Sequence, residues 1–533
     1  MFKRKSVLTI VAVLVLVLSS TGGAHEAEEK ANGRLGAFKK ALTKGGDHEG
    51  EEQANGRLGA FKKALTNMGF TVQEGLMDYP ELLDMCCRCQ IPSCFANNPA
   101  SPYGWFVLPP APNQASTVPN PYSEWFTEDQ TYPEGWSMFW RLRTDEAIVF
   151  LGTTPPEMDY FGFTAYLFDR YRAGIDPPGC PFGYNQIRPT PASAVDRVPL
   201  FASLGDTVNN RVIHVLGKKK KPFLKNVVFV LAADRKIERR IRKALHRSGY
   251  RDKIINTVVV SPDLVRLGVE SDKDSLMFVQ RLASEMTPAL QQYIDSPKTV
   301  LRVSPREPIP PSALDPMPLP KLRVRGTGST EVSLLPLVEQ LGQAIVAAYP
   351  EYDATPILTV NWYEGYNCIE NRQNCLGDNR DTPYIPPSFN PFTYTPHQNL
   401  VLETGEFYVA YGVNHKASGK ATYSNVSILG WKKKASPVMI SNEDMAGSAS
   451  SYLGLSPDDP TANLLYAYVV ARPGSCVGDP KYCREVGYDC MSGVADDEPL
   501  ALVFRAYMEP ATRVAPAYSE IVIDRIIKFT PKP

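Results

Sequence analysis

The first 24 residues constrain how the rest of this chain can be held together. Lys3, Arg4 and Lys5 precede a 13-residue apolar-leaning run, residues 6–18, and a small-residue tail ending Gly22-Gly23-Ala24. Charge, apolar core and small-residue cleavage site in that order are the pattern of a secretory signal peptide. A membrane-spanning helix needs about 20 apolar residues, and neither this run nor any later stretch supplies them. Cleavage after Ala24 is therefore expected, with no transmembrane segment in the mature chain. Residues 526–533 form neither a retention signal nor a lipid-anchor tail.

The expected destination is secreted, or the lumen of the secretory pathway, and this sets the meaning of ten cysteines. In such a compartment clustered cysteines read as bridges before they read as zinc ligands. Cys368 and Cys375 are spaced for a short loop closure. Cys86 and Cys87 are adjacent and should take different partners, one of them the distant Cys180. Cys89 and Cys94 complete the first group, and Cys476, Cys483 and Cys490 form the last. Cys86 and Cys89 match a C-x-x-C redox spacing, but no strand precedes them, so structural bridges are expected. Asn425-Val426-Ser427 is a glycosylation sequon.

Five sections are expected. Residues 1–24 are the signal peptide. Residues 25–66 hold an exact duplication, ANGRLGAFKKALT at 31–43 and again at 54–66, offset by 23 residues. The first copy should be partly disordered and the second should join the fold. Residues 67–304 form a Cys- and Pro-rich N-terminal part with a β hairpin and an α/β unit. Residues 305–320, with seven prolines, favour an extended connector. Residues 321–533 form a β-rich C-terminal domain that begins with one helix.

The expected fold class is mixed, α/β and β-rich (α+β): antiparallel β layers packed with a central β-α-β unit, loops pinned by disulfides. Residues 146–152 and 160–167 read as strands. Residues 226–231 are a continuous apolar strand, buried on both faces. Asp234 caps the next helix, Ile237, Ile241, Ala244 and Leu245 form its stripe, and Gly249 ends it. Residues 254–260 return as a parallel strand. A helix over 273–293, a strand at 299–303, a short strand at 322–325 and a helix to Ala348 are expected next. Strands at 406–413, 421–430, 464–471, 500–507 and 520–529 fill the C-terminal domain. Thr144-Asp145-Glu146 before Gly152 is echoed by Thr404-Gly405-Glu406 before Gly412. Ordinary strand-and-turn chemistry explains that echo more simply than duplication.

Three constellations could carry chemistry. Asp378 and Asp381 flank Arg380, and paired carboxylates in unlike environments can divide acid and base roles. His415, on a loop between two expected strands, is the best base among six histidines, ahead of His397 and His214. Gly326-Thr327-Gly328-Ser329-Thr330 could offer free amides to an anion, but a plain turn is the simpler reading, since it lacks the P-loop lysine. Residues 211–253 carry 15 basic residues against three acids. Lys218, Lys219, Lys220, Lys221, Arg239 and Arg240 would be its anion-binding members. On the secretory route that anion is an acidic polysaccharide or an anionic surface, not nucleic acid. No metal site, cofactor or H-E-x-x-H or G-x-S-x-G motif is read. The favoured function is a hydrolase- or lyase-like extracellular enzyme using His415, Asp378 and Asp381. The alternative is a non-catalytic extracellular binding or matrix protein that recognises acidic glycans or anionic surfaces.

Overall fold

The computed structural model describes residues 48–87, 93–99, 101–114, 132, 135–171, 197–217, 221–283, 286–390 and 395–533, with side chains from residue 56. The leader, the first repeat copy, Cys89, Cys180 and Lys218 to Lys220 lie outside the described residues. Among those described, no helix is long and apolar enough to cross a membrane.

The second repeat copy lies in helix α1 (His48–Asn67), where Phe61 and Leu65 are wholly buried. Nine strands follow: β1 (Phe70–Asp78), β2 (Tyr103–Val107), β3 (Ala147–Thr153), β4 (Tyr160–Tyr171), β5 (Arg197–Ser203), β6 (Asn226–Ala232), β7 (Ile255–Val259), β8 (Ser275–Ala283) and β9 (Thr299–Pro305). Helix α2 (Arg235–Arg247) joins β6 to β7, and α3 (Pro288–Asp295) joins β8 to β9. These strands make one large sheet in the order β5-β4-β8-β2-β1-β9-β3-β6-β7, with Val208–Asn209 added beside β4. Beyond the proline-rich stretch come α4 (Leu335–Ala348) and β10 (Tyr352–Ile357), β11 (Tyr384–Ile385), β12 (Phe407–Val413), β13 (Tyr423–Gly430), β14 (Val438–Ser441), β15 (Leu465–Ala471), β16 (Cys483–Glu485), β17 (Leu500–Tyr507) and β18 (Arg525–Pro531). They form two sheets, β10-β18-β12-β15-β16 and β11-β17-β13-β14.

The chain is a duplication. Each strand of the second half occupies the place of the strand nine earlier. The order β1-β9-β3-β6-β7 becomes β10-β18-β12-β15-β16, and β2-β8-β4-β5 becomes β11-β17-β13-β14. Strand directions agree too: only β6–β7 and its counterpart β15–β16 are parallel. In the first half, β1 pairs with β2 and fuses the two sheets, Met77 lying opposite Phe106. In the second half the matching join is centred on Thr359 and Pro387, with bonds from Val360 to Pro386, Trp362 to Tyr384 and Ser388 to Leu358, but no regular strand ladder. Pro386 and Pro387 lack the amide donors a longer ladder would need.

The echo between Glu146 and Glu406 belongs to this duplication. Glu146 accepts from the Arg143 amide and Glu406 from the Glu403 amide, each at 2.9 Å. Arg302 pairs with Glu146 and Lys528 with Glu406, and Ser304 and Thr530 donate to the same two carboxylates. Both cations also reach back five residues from the glutamate, to the carbonyls of Arg141 and Val401.

The β-α-β unit forms as its apolar pattern dictates. Asp234 Oδ1 accepts from the amides of Lys236 and Ile237 at 2.8 and 3.0 Å, and all four stripe residues of α2 are fully buried. Residues 273–293 are not one helix. Residues 275–283 form β8, buried along its whole length between β4 and β2, and only Pro288–Asp295 is helical, capped by Thr287. The short apolar run Leu276 to Val279 suits an interior strand as well as a buried helix, so periodicity alone does not separate them. Residues 322–325 form no strand either; Arg323 there is tied to Asp206 and Arg325 to Glu364. The Pro-rich stretch is extended, with one short turn at Pro311–Ala313, and Met317 bonds back to Ala233.

Among the described residues four disulfides are formed. Cys368–Cys375 closes its short loop, and Cys86 and Cys87 take different partners, as expected. The distant partner is Cys490, 403 residues from Cys87, so this bridge joins the two halves.

Candidate functional site

The loop before β2 and the loop before β11 are matched parts of the duplication, and each grips the opposite half. Cys94 stands nine residues before Tyr103, and Cys375 nine before Tyr384. The amides of Cys94 and Ala96 donate to the carbonyls of Lys433 and Lys434 at 3.0 and 2.9 Å. The amides of Cys375 and Gly377 donate to Leu200 and Phe201 at 2.7 and 2.8 Å. Asn97 then bonds the backbone of Ser436, and Asp378 the amide and hydroxyl of Ser203. Ala96, Phe201 and Lys434 all have positive φ, as does Gly377 at +71°. A side chain at Gly377 would meet the Phe201 ring at 2.6 Å, which explains a glycine there.

Between these two clamps lies a cavity with about 90 Å³ open to the centres of water-sized molecules. Its walls come from β2 and β8 of the large sheet (Trp105, Met277 and Val279) and from the four-stranded sheet of the second half (Leu429, Val503 and Tyr507). Loop residues Phe95, Leu376 and Trp362 close the sides. Three buried cations also line it. Arg281 donates to the Tyr166 hydroxyl and, at 2.6 Å, to the Gly377 carbonyl. Arg505 donates to the Ser427 hydroxyl and, at 2.7 Å, to the Ala96 carbonyl. The Lys434 ammonium lies 3.4 Å from the Trp431 ring centroid, and burial pushes its pKa well below the ordinary lysine value. A deep, mostly apolar cleft with a few convergent polar groups has the usual form of a small-molecule site.

None of the three expected catalytic side chains lines this cavity. Asp378 is buried and also accepts from the Gly365 amide at 2.8 Å; burial lifts its pKa against the bonds from Ser203 and Gly365. Its position in the first half is filled by Asn97, a neutral residue that makes the equivalent clamp. Asp378→Asn should therefore cost about 1–2 kcal/mol, the value of the Gly365 hydrogen bond, read as a shift of the urea midpoint with ligand binding unchanged. Asp381 is fully buried, and burial raises its pKa to about 6, opposed by Arg323 and by bonds from Asn209 and Tyr160. Its partners Asn209 and Tyr160 belong to the first half, so it too works at the junction. His415 lies elsewhere, buried between Glu331 at 2.9 Å and Asp524 at 3.2 Å. Burial disfavours its charge, but those two carboxylates prevail and raise its pKa to about 10. It is a structural imidazolium at neutral pH. His397 and His214 are exposed, on Ser388 and on the backbone of Ile255.

The loop at Gly326 does hold an anion, one of its own: Thr327 and Gly328 amides bind the Glu520 carboxylate at 2.8 and 2.6 Å. Lys420 completes that group, and Glu520 is held at about 2 despite burial. Of the basic segment, Lys221 is exposed, and Arg239, 67% exposed, lies 3.5 Å from Asp315. Arg240 instead ties α2 to the turn after α1 and the start of β1, over the Phe70 ring and onto the Met68 carbonyl. Asn425 is buried in β13, its Nδ2 on Asn98 and the Tyr423 hydroxyl, so the folded protein has no room for a glycan there.

Sequence reasoning missed the cavity because its walls come from many separate segments. One signal was available. CFANNPASPY at 94–103 and CLGDNRDTPY at 375–384 share Cys, Asn, Pro and Tyr at matched positions. No family model and no curated protein matches the chain. Among solved structures it is similar to an uncharacterised protein from Burkholderia cenocepacia, at 10% identity and a TM-score of 0.32 over 96% of this chain and 97% of that one. A protein from Vibrio parahaemolyticus aligns over 73% of this chain and 87% of its own, at 10% identity and a TM-score of 0.31. Likenesses at this level carry no statement about fold or function.

Proposed function

We propose that this chain is a non-catalytic binding protein of an oxidising, extracytoplasmic compartment, and that its ligand is a small aromatic or apolar molecule held between the two halves. The observation that carries the reading is the aromatic-walled cavity framed by the paired clamps. Aromatic walls offer large apolar contact together with edge and face geometry. The clamps make both halves necessary to the site, so the duplication creates what one half lacks. Four disulfides support the compartment, since such bonds persist outside the reducing cytosol. The hydrolase- or lyase-like reading loses its support here, because His415, Asp378 and Asp381 are spent on structural bonds away from the cavity.

A neutral fluorophore, N-phenyl-1-naphthylamine, tests this. Its emission should rise saturably with a stoichiometry near one per chain, and Val503→Trp, which fills the cavity from β17, should abolish the rise while far-ultraviolet circular dichroism stays unchanged. A non-saturable rise, or full binding by the Val503→Trp protein, would contradict the assignment.

A further inference from the structure

We infer that the cavity takes a ligand with two acidic groups on one aromatic or apolar body, one group for each of its two arginines. The inference rests on the proposed ligand site and names the chemical class of its occupant. Arg281 stands on β8 directly across from Tyr103 of β2. Arg505 stands on β17 directly across from Tyr384 of β11. These are equivalent positions in the two halves, so the duplication has placed an arginine–tyrosine couple on each wall. The guanidinium carbons lie 5.7 Å from the Tyr103 centroid and 5.4 Å from the Tyr384 centroid. Each arginine crosses to the other half, Arg281 to Gly377 and Arg505 to Ala96, carbonyls that are themselves equivalent.

Both side chains are deeply buried, at 6% and 3% exposure. Among the described residues no carboxylate lies within ion-pair distance of either. Asp378, one residue beyond Gly377, turns its carboxylate to Ser203 and Gly365. Some buried cations elsewhere are matched by acids, Arg197 by Asp169, Arg302 by Glu146 and Lys420 by Glu509, whereas Lys298 is held by the carbonyls of Tyr293, Ile294 and Ser296. Arg472 lacks an acid but is satisfied by the carbonyls of Leu402, Gly487, Val494 and Ala495. Arg281 and Arg505 have two acceptors each, although a guanidinium carries five N–H donors. A buried guanidinium with N–H donors to spare gains charge-assisted bonds from an arriving acid. The planar fork of arginine suits a carboxylate held by two parallel bonds. Both arginines line the one cavity, from opposite halves of the chain. A single acid leaves one of them unmatched; a rigid diacid satisfies both.

Calorimetric titration of the whole chain with naphthalene-2,6-dicarboxylate, 2-naphthoate and the neutral naphthalene-2,6-dicarboxamide tests this. The dicarboxylate should bind roughly tenfold or more tighter than the monocarboxylate, as expected for one added charge-assisted bond. Arg281→Met and Arg505→Met should each weaken the dicarboxylate by roughly tenfold or more relative to the diamide. Arg281→Lys, which keeps the charge but not the fork, should fall between, and N-phenyl-1-naphthylamine binding checks that each variant is folded. Equal affinities for the three naphthalenes, or arginine variants that bind the dicarboxylate as the parent does, overturn the two-acid inference while the cavity stands. Failure of the neutral fluorophore and all three naphthalenes to bind overturns the cavity reading as well.

Discussion

Arg302→Met should lower the unfolding free energy by about 3 kcal/mol, whereas the equivalent change in the second half, Lys528→Met, should cost about 1 kcal/mol. The two sites have the same parts at the same positions: a turn-capping glutamate, a cation on the neighbouring strand, a hydroxyl two residues on, and a carbonyl acceptor. They differ in depth. Arg302 and Glu146 side chains are 1% and 0% exposed, and Lys528 and Glu406 side chains are each 9% exposed. Removing the cation strands the carboxylate, and the stranded charge costs more where water cannot reach it. Arg143, 3.5 Å from Glu146, softens the first loss without replacing the direct partner. Urea midpoints at constant m-value measure both. Equal costs at the two sites would contradict the burial argument.

His415→Gln should remove a pH-dependent stabilisation of about 3–5 kcal/mol that the parent holds at pH 6. The folded pKa of His415 is raised from 6.5 to about 10, because Glu331 and Asp524 outweigh the burial that disfavours its charge. A raised pKa binds the proton more tightly in the folded state. Its contribution is therefore complete below about pH 6.5 and fades as pH rises toward 10. Lys298 works in the opposite sense over much of that range: burial lowers its pKa to about 7, so it favours the folded state progressively as pH rises above 7. The quantity to measure is thus the stability difference between parent and variant at each pH. That difference should be largest at pH 6 and shrink steadily to pH 10. A difference that stays flat would show that His415 is not held as an imidazolium.

Local rules read parts of this chain well. Asp234, the four apolar residues of α2 and the run at 226–231 specified the β-α-β unit, because capping and 3.6-residue periodicity are local signals. The Cys368–Cys375 loop was legible from its spacing. The strand β8 was not, since a run buried on both faces carries no period. The duplication was half visible: the Glu146–Glu406 echo is one of its contacts, but its second contact, the Cys-to-Tyr loop, lies in segments with few shared letters. Site residues suffered most. Asp378, Asp381 and His415 stood out as polar groups on loops, and loops often carry function. Here the opposite half covers Asp378 and Asp381, and Glu331 and Asp524 enclose His415, so all three are buried in hydrogen bonds and none lines the cavity. Arg281 and Arg505 gave no signal, because each sits within an apolar strand, and only the folding of two halves against each other brings them to one space.

Amide hydrogen exchange with and without a bound naphthalene tests most directly the claim that the two clamps frame one ligand site. Exchange at these amides reports local opening of the junction. The account predicts that ligand slows exchange together at residues 94–97 and 375–378, and at their receptors 200–203 and 433–436, while α2 is unaffected. Slowing confined to one clamp, or confined to α2, would contradict it.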